Sequence, residues 1–351
     1  MEVAHAAGQL SGSTPESLRC PAVPRAAGST SRKTVPRKSS SRKVGIALGA
    51  GGARGLAHVG ILRTLSSAGI PIDAVVGTSI GALVGASFAA GQLDALETRI
   101  GELDWTSVAR MFNPVWPRSG LLSGEGAVGW MESILGDWRI EDLAIPFAAV
   151  AVDLVTGEEV LIREGRAIDA IRASISIPGL FVPHTVGRRL LVDGAIRNPV
   201  PVSALDVLGV DVRLAVNLHT RPVREILRRR SSRARGESSG LTARILDRLE
   251  DRLGRFRRRR PSAKNGDEAS TGPGLFEVLT ASMTILEYEL ARHRLASDPA
   301  DVLLTPHVED IRSLEFHRAR RAIQAGEREA EARLVEIRRA VSRRRRLRRR
   351  A

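Results

Sequence analysis

The sequence predicts an α/β layered fold with a largely parallel sheet, and three observations carry that reading. Strand-patterned and helix-patterned stretches alternate through residues 43–220. Two of the apolar runs end in glycine turns that lead directly into helix-like segments. Hydrophobic residues make up 43% of the 351-residue chain, enough for a large core, and only 3% are aromatic, so that core is aliphatic.

The first strand-like run is Val44-Gly45-Ile46-Ala47-Leu48, and the glycine-rich stretch Gly49-Ala50-Gly51-Gly52-Ala53-Arg54-Gly55 follows it. A helix-like segment containing His58 then continues through Leu65. Consecutive glycines let backbone N–H groups converge on an anion, and the helix N-terminus behind them adds partial positive charge. In a serine hydrolase such a loop holds the carbonyl oxygen as it becomes an oxyanion. Gly51 and Gly52 are the candidate donors, within a loop completed by Ala53, Arg54 and Gly55. Arg54 either fixes the loop or adds positive charge. The competing reading is a dinucleotide-binding turn. The spacing departs from G-x-G-x-x-G by one residue, and an acidic residue is missing from the end of the next strand, since Asp73 lies at its start.

The next run, Ile72-Asp73-Ala74-Val75-Val76, leads into Gly77-Thr78-Ser79-Ile80-Gly81 and then into the small-residue helical segment Ala82-Leu83-Val84-Gly85-Ala86. A serine on so sharp a strand-to-helix turn is lifted clear of the sheet, and the two glycines leave room for the turn and for close helix packing. Ser79 is therefore the candidate nucleophile, with Gly77, Thr78, Ile80 and Gly81 as its elbow. The alternative is a turn whose serine caps the following helix.

Further along, Leu93 to Glu97 has helical spacing, and residues 113–126 are rich in Pro, Trp and Gly. Val150 to Ile162 reads as two strands joined by a turn at Thr156-Gly157, which gives Asp153 a structural explanation. In Leu190-Leu191-Val192-Asp193-Gly194-Ala195, an aspartate ends an apolar run and a glycine turn follows. A carboxylate there accepts the proton of a serine hydroxyl if the fold brings the two within hydrogen-bond reach. An ordinary Asp-Gly hairpin turn is the alternative. Beyond lie the strand-like Leu214 to Leu218, a helix-like Leu275 to Ala296, and a final strand at 301–306. A long charged helix is expected from Ile311 to Ala340.

The glycine loop, the G-x-S-x-G turn and the D-G-A turn together resemble the patatin-like phospholipase family, above all its bacterial members related to the neuropathy-target-esterase group. Ile171 to Phe181, Asn198-Pro199-Val200-Pro201 and Leu214 to Leu218 extend the likeness, which spans residues 43–219 and, more weakly, 274–338. Ala50 departs from the glycine that many members carry. The resemblance implies a three-layer α/β/α sandwich with a mostly parallel central sheet. It also implies a Ser–Asp dyad without histidine: Ser79 attacks an ester carbonyl, Asp193 is the general base, Gly194 and Ala195 complete the aspartate's motif, and the glycine loop holds the oxyanion. His184 and His219, near strand ends, are the histidines to inspect as a third member. In the family, residues 93–143 correspond to a cover over the site, which makes Trp105, Phe112 and Trp116 candidates for acyl-chain contact or for packing. The implied function is hydrolysis of phospholipid or lysophospholipid esters. An acyltransferase or thioesterase on the same site is the nearer alternative, and a non-catalytic binding protein the more distant one.

The remaining chain bounds these readings. Residues 1–42 lack a secretory signature and read as a disordered basic leader, a composition that transit peptides share. Cys20 is the only cysteine, so there is no internal disulfide and no cysteine metal cluster. No calcium-loop motif is present, and no metal or cofactor is expected. No run approaches about 18 apolar residues, so a membrane span is not expected and a cytoplasmic protein fits.

Charge is uneven. Of the overall +15, residues 43–220 contribute −4, from 14 Lys/Arg against 18 Asp/Glu. The acyl hydrolase domain is expected over 43–220 and 274–340, with an Arg-rich mobile insertion at 221–273 and an Arg-rich tail at 341–351. Three partners compete for those arginines: solvent alone, an anionic membrane surface, or nucleic acid held through its phosphates. Only Phe256 interleaves the runs, so no sequence-specific nucleic-acid reading is expected. Oligomeric state is left open.

Overall fold

Among the described residues, eight strands form one sheet, and its register brings distant segments together. The computed structural model describes residues 42–102, 124–219 and 275–342. The strands are β1 (Val44–Leu48), β2 (Ala74–Thr78), β3 (Phe147–Asp153), β4 (Glu159–Ile162), β5 (His184–Val186), β6 (Arg189–Asp193), β7 (Val212–Val216) and β8 (Val302–Leu304). The helices are α1 (Ala57–Ser67), α2 (Ile80–Ala89), α3 (Leu93–Gly101), α4 (Glu125–Leu135), α5 (Ala167–Ser174), α6 (Leu275–Ser297) and α7 (Ala319–Ser342). The sheet runs β5-β6-β3-β2-β1-β7-β8, with β4 also paired to β3.

From β3 through β2, β1 and β7 to β8 the pairings are parallel. The rest of the sheet is antiparallel, where β4 and β6 pair with β3 and β5 pairs with β6. The sheet is thus largely parallel, as expected, with an antiparallel part at one end. The reason is local: β3–β4 and β5–β6 are joined by turns too short for a crossover, and a short turn permits only an antiparallel pair.

Alternation along the strands fills both faces. In β3, Phe147, Ala149 and Ala151 join the larger apolar cluster, while Ala148 and Val150 join a smaller one on the other face. Helices α1, α2, α3, α5 and α7 supply buried residues to the larger cluster. On the other side, Ala291 and Leu295 of α6 pack with Val200, Val202 and Leu205. The result is an α/β/α layering around a largely aliphatic core in which Phe147 is also buried. Among the described residues, no helix is long and apolar enough to cross a membrane.

The long charged helix begins later than its sequence pattern suggests, at Ala319 rather than Ile311. The carboxylate of Glu315 accepts the Arg312 N–H at 3.0 Å, and Ile311 N–H donates to Val308 O at 3.0 Å. These local bonds turn the chain, and the carbonyl of Ser313 is presented to the glycine loop, where it accepts the Ala53 N–H at 2.8 Å. Of the other expected regions, residues 1–41, 220–274 and 343–351 lie outside the described residues. So do residues 103–123, with Trp105, Phe112 and Trp116.

Candidate active site

The site lies at the carboxyl ends of the parallel strands, where the glycine loop leaves β1, Ser79 leaves β2 and Asn217 leaves β7. Strand β3 is the common guide. Along one edge it pairs first with β2, up to Thr78 opposite Val150, and then with β6, beginning with Asp193 opposite Ala151. The other edge is taken by β4, since Val150 also faces Leu161 and Ala151 also faces Val160. β2 and β6 therefore meet end to end beside β3, one arriving from each direction. The residue after β2 is Ser79 and the last residue of β6 is Asp193, so their juxtaposition follows from strand register.

Ser79 is the only non-glycine with positive φ among the described residues, at φ 57° and ψ −123°. Such a conformation costs about 1–3 kcal/mol and persists only where surrounding contacts impose it. Gly77 and Gly81 allow it by their lack of side chains. A Cβ on Gly77 would run into the Gly81 carbonyl, and one on Gly81 into the Leu48 carbonyl. Thr78 Oγ1 donates to Asn198 O at 2.9 Å, and the Ser79 N–H donates to Ser174 Oγ at 2.9 Å. Ser174 Oγ in turn donates to Val150 O at 2.6 Å. Ser79 precedes α2, yet its side chain makes no capping bond to that helix. Its hydroxyl donates instead to Asp193 Oδ2 at 2.7 Å.

The other oxygen of Asp193 accepts the Ala195 N–H at 2.8 Å, which fixes the carboxylate plane. Gly194 sits against β3, where a Cβ would run into the Val150 carbonyl. Burial pushes the Asp193 carboxyl up to about 7, against the opposite pull of the Ala195 N–H and the Ser79 hydroxyl. Near neutrality the group is thus poised to take up a proton, which an exposed aspartate is not.

The glycine loop divides its backbone donors. Ala50 N–H goes to Pro199 O and Ala53 N–H to Ser313 O, each at 2.8 Å. Gly51 and Gly52 line the same cavity as Ser79 and Asp193, and Gly52 has φ 58°. A Cβ on Gly52 would run into Ser313 O, so only glycine fits there. Arg54 is buried and its Nε donates to Gly51 O at 3.2 Å, while Nη2 reaches Ser313 Oγ at 3.3 Å. Of the two roles expected for Arg54, fixing the loop is the one with contacts. Ala53, Arg54 and Gly55 do not line the cavity. Gly55 packs on Ile80, where a Cβ would overlap the isoleucine side chain.

Above the pair opens a cavity of about 180 Å³. Its walls include Leu56, Leu83, Trp130, Met131, Phe181 and Met283. Beside Ser79 and Asp193 the wall is therefore greasy, suited to an alkyl chain and poor at solvating ions. Arg172 holds one wall in place: Nη1 donates to Ser176 Oγ at 2.6 Å, Nη2 donates to Val182 O at 3.1 Å, and its guanidinium carbon lies 5.3 Å from the Phe181 ring centroid.

The patatin-like phospholipase family profile matches residues 46–206, a span that includes the glycine loop, Ser79 and Asp193. An uncharacterised NTE family protein of Mycobacterium tuberculosis is 37% identical over 327 residues, covering 83% of this chain and 91% of that one. This chain belongs to the patatin-like phospholipase family. A second NTE family protein of M. tuberculosis is 36% identical over 186 residues, 51% of this chain and 32% of its own. Mouse patatin-like phospholipase domain-containing protein 7 is 33% identical over 194 residues, 53% of this chain and 14% of its own.

The rival residues of this patatin-like domain are engaged elsewhere. Asp153 Oδ1 accepts the N–H groups of Val155 at 2.9 Å and Thr156 at 3.4 Å, inside the β3–β4 turn. Asp73 accepts the Val44 N–H at 2.8 Å, at the amino end of β1 and far from the glycine loop, as no dinucleotide site would have it. His58 is fully buried, with Nε2 2.8 Å from Gly49 O, and burial lowers its pKa to about 4. His184 lies 3.5 Å from Asp169, and burial followed by the Arg172 charge lowers its pKa. His219 lies 3.7 Å from Glu287, and burial followed by the Arg54 charge lowers its pKa to about 3. Among the described residues, none of the three hydrogen-bonds Ser79 or Asp193, and no group of His, Cys, Asp or Glu could hold a metal ion.

Ser174, Ser313, Arg172 and Asn198 are the site residues that sequence reasoning did not assign. Ser174, Arg172 and Asn198 lie in stretches that carry the family likeness, which was the one available signal. Ser313 lay inside what reads as helix.

Proposed function

We propose that this chain is a serine lipid acyl hydrolase that cleaves carboxylic ester bonds of phospholipids or lysophospholipids on a Ser79–Asp193 dyad. The observation that carries the reading is the 2.7 Å contact between Ser79 Oγ and a buried Asp193 at the floor of an apolar cavity. Ser79 Oγ attacks the ester carbonyl carbon and its proton passes to Asp193. The carbonyl oxygen becomes an oxyanion facing the N–H groups of Gly51 and Gly52. As the tetrahedral intermediate collapses, the bond to the leaving alcohol breaks and Asp193 returns the proton to that alcohol. Asp193 then takes a proton from water, whose oxygen attacks the acyl-Ser79 ester. Collapse releases the fatty acid and restores the serine.

In a triad, the histidine both takes the proton and must itself be oriented by a carboxylate. Here the Ala195 N–H orients the carboxylate, and burial raises its basicity to the working range. The greasy walls fit the acyl chain and exclude water from the reacting atoms. The acyl hydrolase domain comprises residues 43–220 and 274–340 in this reading, since β8 pairs with β7 and completes the sheet.

The test is turnover of short-chain p-nitrophenyl esters and of phospholipids by wild type, Ser79→Ala and Asp193→Asn. Each substitution is expected to lower kcat by about a thousandfold or more. An alkylphosphonate probe should label Ser79 in the wild type alone. Activity that survives both substitutions, or labelling at another serine, overturns the dyad.

A further inference from the structure

Helix α6 presents two different faces. Thr280, Met283, Thr284 and Glu287 line the cavity above Ser79. Val278, Ser282, Ile285 and Leu286 recur at i, i+4, i+7 and i+8, which places them on the opposite side. Their exposure is large for apolar residues: 43% for Val278, 43% for Ile285 and 56% for Leu286. Leu279 lies between the two faces, 39% exposed and also a wall of the cavity. Among the described residues, an exposed apolar stripe that includes Ser282 therefore adjoins Leu279, which lines the apolar cavity. Grouped exposure of this kind marks an interaction surface, where scattered exposed leucines would not.

Charge indicates which surface covers it. The chain that leads into α6, residues 221–273, carries 16 Lys/Arg against 7 Asp/Glu. An apolar stripe joined to strongly basic chain matches an anionic lipid surface, where buried alkyl area and attraction to head groups add. A protein partner would have to match both features separately, whereas a lipid surface supplies both at once.

We infer that the exposed stripe Val278, Ile285 and Leu286 of helix α6 is a docking face for an anionic phospholipid surface, seated so that an acyl chain passes by Leu279 into the cavity. The inference rests on the proposed lipid acyl hydrolase for its purpose, though not for its measurement. Docking beside the cavity shortens the path of a lipid from bilayer to Ser79, because the acyl chain passes along apolar side chains instead of crossing water.

The experiment uses the full chain and vesicles of phosphatidylcholine with 30 mol% phosphatidylglycerol. Binding is measured by co-sedimentation on Ser79→Ala protein, and turnover on otherwise wild-type protein. The double variant Ile285→Glu/Leu286→Glu should lose roughly tenfold or more of its vesicle binding and vesicle turnover. Its turnover of a dispersed short-chain ester should stay within about twofold of wild type, since neither residue lines the cavity. Unchanged vesicle binding overturns the inference. So does a fall in molar mass by light scattering in the variant, which assigns the stripe to a second copy of the chain.

If the double variant does not fold, Ser282→Trp on the same exposed face gives the second reading. It should raise vesicle binding severalfold, and unchanged or lower binding overturns the inference. A chain that docks on vesicles through this stripe and hydrolyses nothing refutes the proposed function and leaves the docking face standing.

Discussion

Asp153 and Asp193 have almost the same local description. Each ends an apolar strand, each is buried, and each accepts the N–H of the residue two positions ahead through Oδ1. They differ in what arrives from outside the turn. Asp153 spends its Oδ1 on a second N–H of its own turn, from Thr156. Asp193 meets the end of β2 along the same edge of their shared guide strand, and its Oδ2 accepts the Ser79 hydroxyl. A carboxylate at a strand end thus becomes a candidate base through its neighbour in the sheet, which no local pattern records.

The sharpest way to break the comparison is to alter each aspartate. Asp193→Asn should cost about a thousandfold in kcat on p-nitrophenyl esters, whereas Asp153→Ala should leave kcat within about threefold of wild type. Comparable losses in the two would mean that Asp193 is also no more than a turn residue. Next in size is Ser174→Ala, which removes the acceptor for the Ser79 N–H and should lower kcat roughly 10- to 100-fold with KM nearly unchanged. A change confined to KM would place Ser174 in substrate binding instead.

The pH profile sharpens the contrast further. A base whose pKa is raised to about 7 works only when ionised, so kcat/KM should climb as pH rises through about 7 and level off above it. A plateau already reached at pH 5 would contradict the buried environment of Asp193.

The smallest effect is on stability, and it has opposite signs at the two sites. The folded chain holds the Asp193 proton up to about pH 7, while the unfolded chain releases it near the ordinary aspartate value of 3.8. The native state binds more protons across that window, so stability falls as pH rises through it. Asp193→Asn removes this slope. Its Tm should therefore gain on wild type from pH 4 to pH 7 and stay a few degrees higher above that. Asp153→Ala should lower Tm by about 2–4 °C, because two turn N–H groups lose their acceptor. Thermal melts of the three proteins from pH 4 to pH 8 check both.

The legible parts of this molecule are those whose physics is local. A tight strand-to-helix turn needs glycines at fixed offsets, so Gly77-Thr78-Ser79-Ile80-Gly81 stands out as text, and the turn is where the pattern puts it. The strand–turn–strand pattern around Asp153 and the strand at Leu190 to Asp193 are equally local. What stayed hidden depends on contacts across the fold. Ser174 reads as one more small residue near a helix end, and only the approach of Ser79 and Val150 gives its hydroxyl two partners. Residues 311–318 carry helical spacing, but Glu315 capping Arg312 turns the chain there. The antiparallel pairing of β6 with β3 was hidden likewise, because it joins segments far apart in the sequence.

One contact has a consequence for how the protein is made. The carbonyl that seats the glycine loop belongs to Ser313, whose hydroxyl also meets Arg54 across a sequence separation of 259 residues. Synthesis delivers the nucleophile and its aspartate long before it delivers that seat. A nascent chain that has not yet reached Ser313 therefore carries Ser79 and Asp193 without the carbonyl that seats the glycine loop.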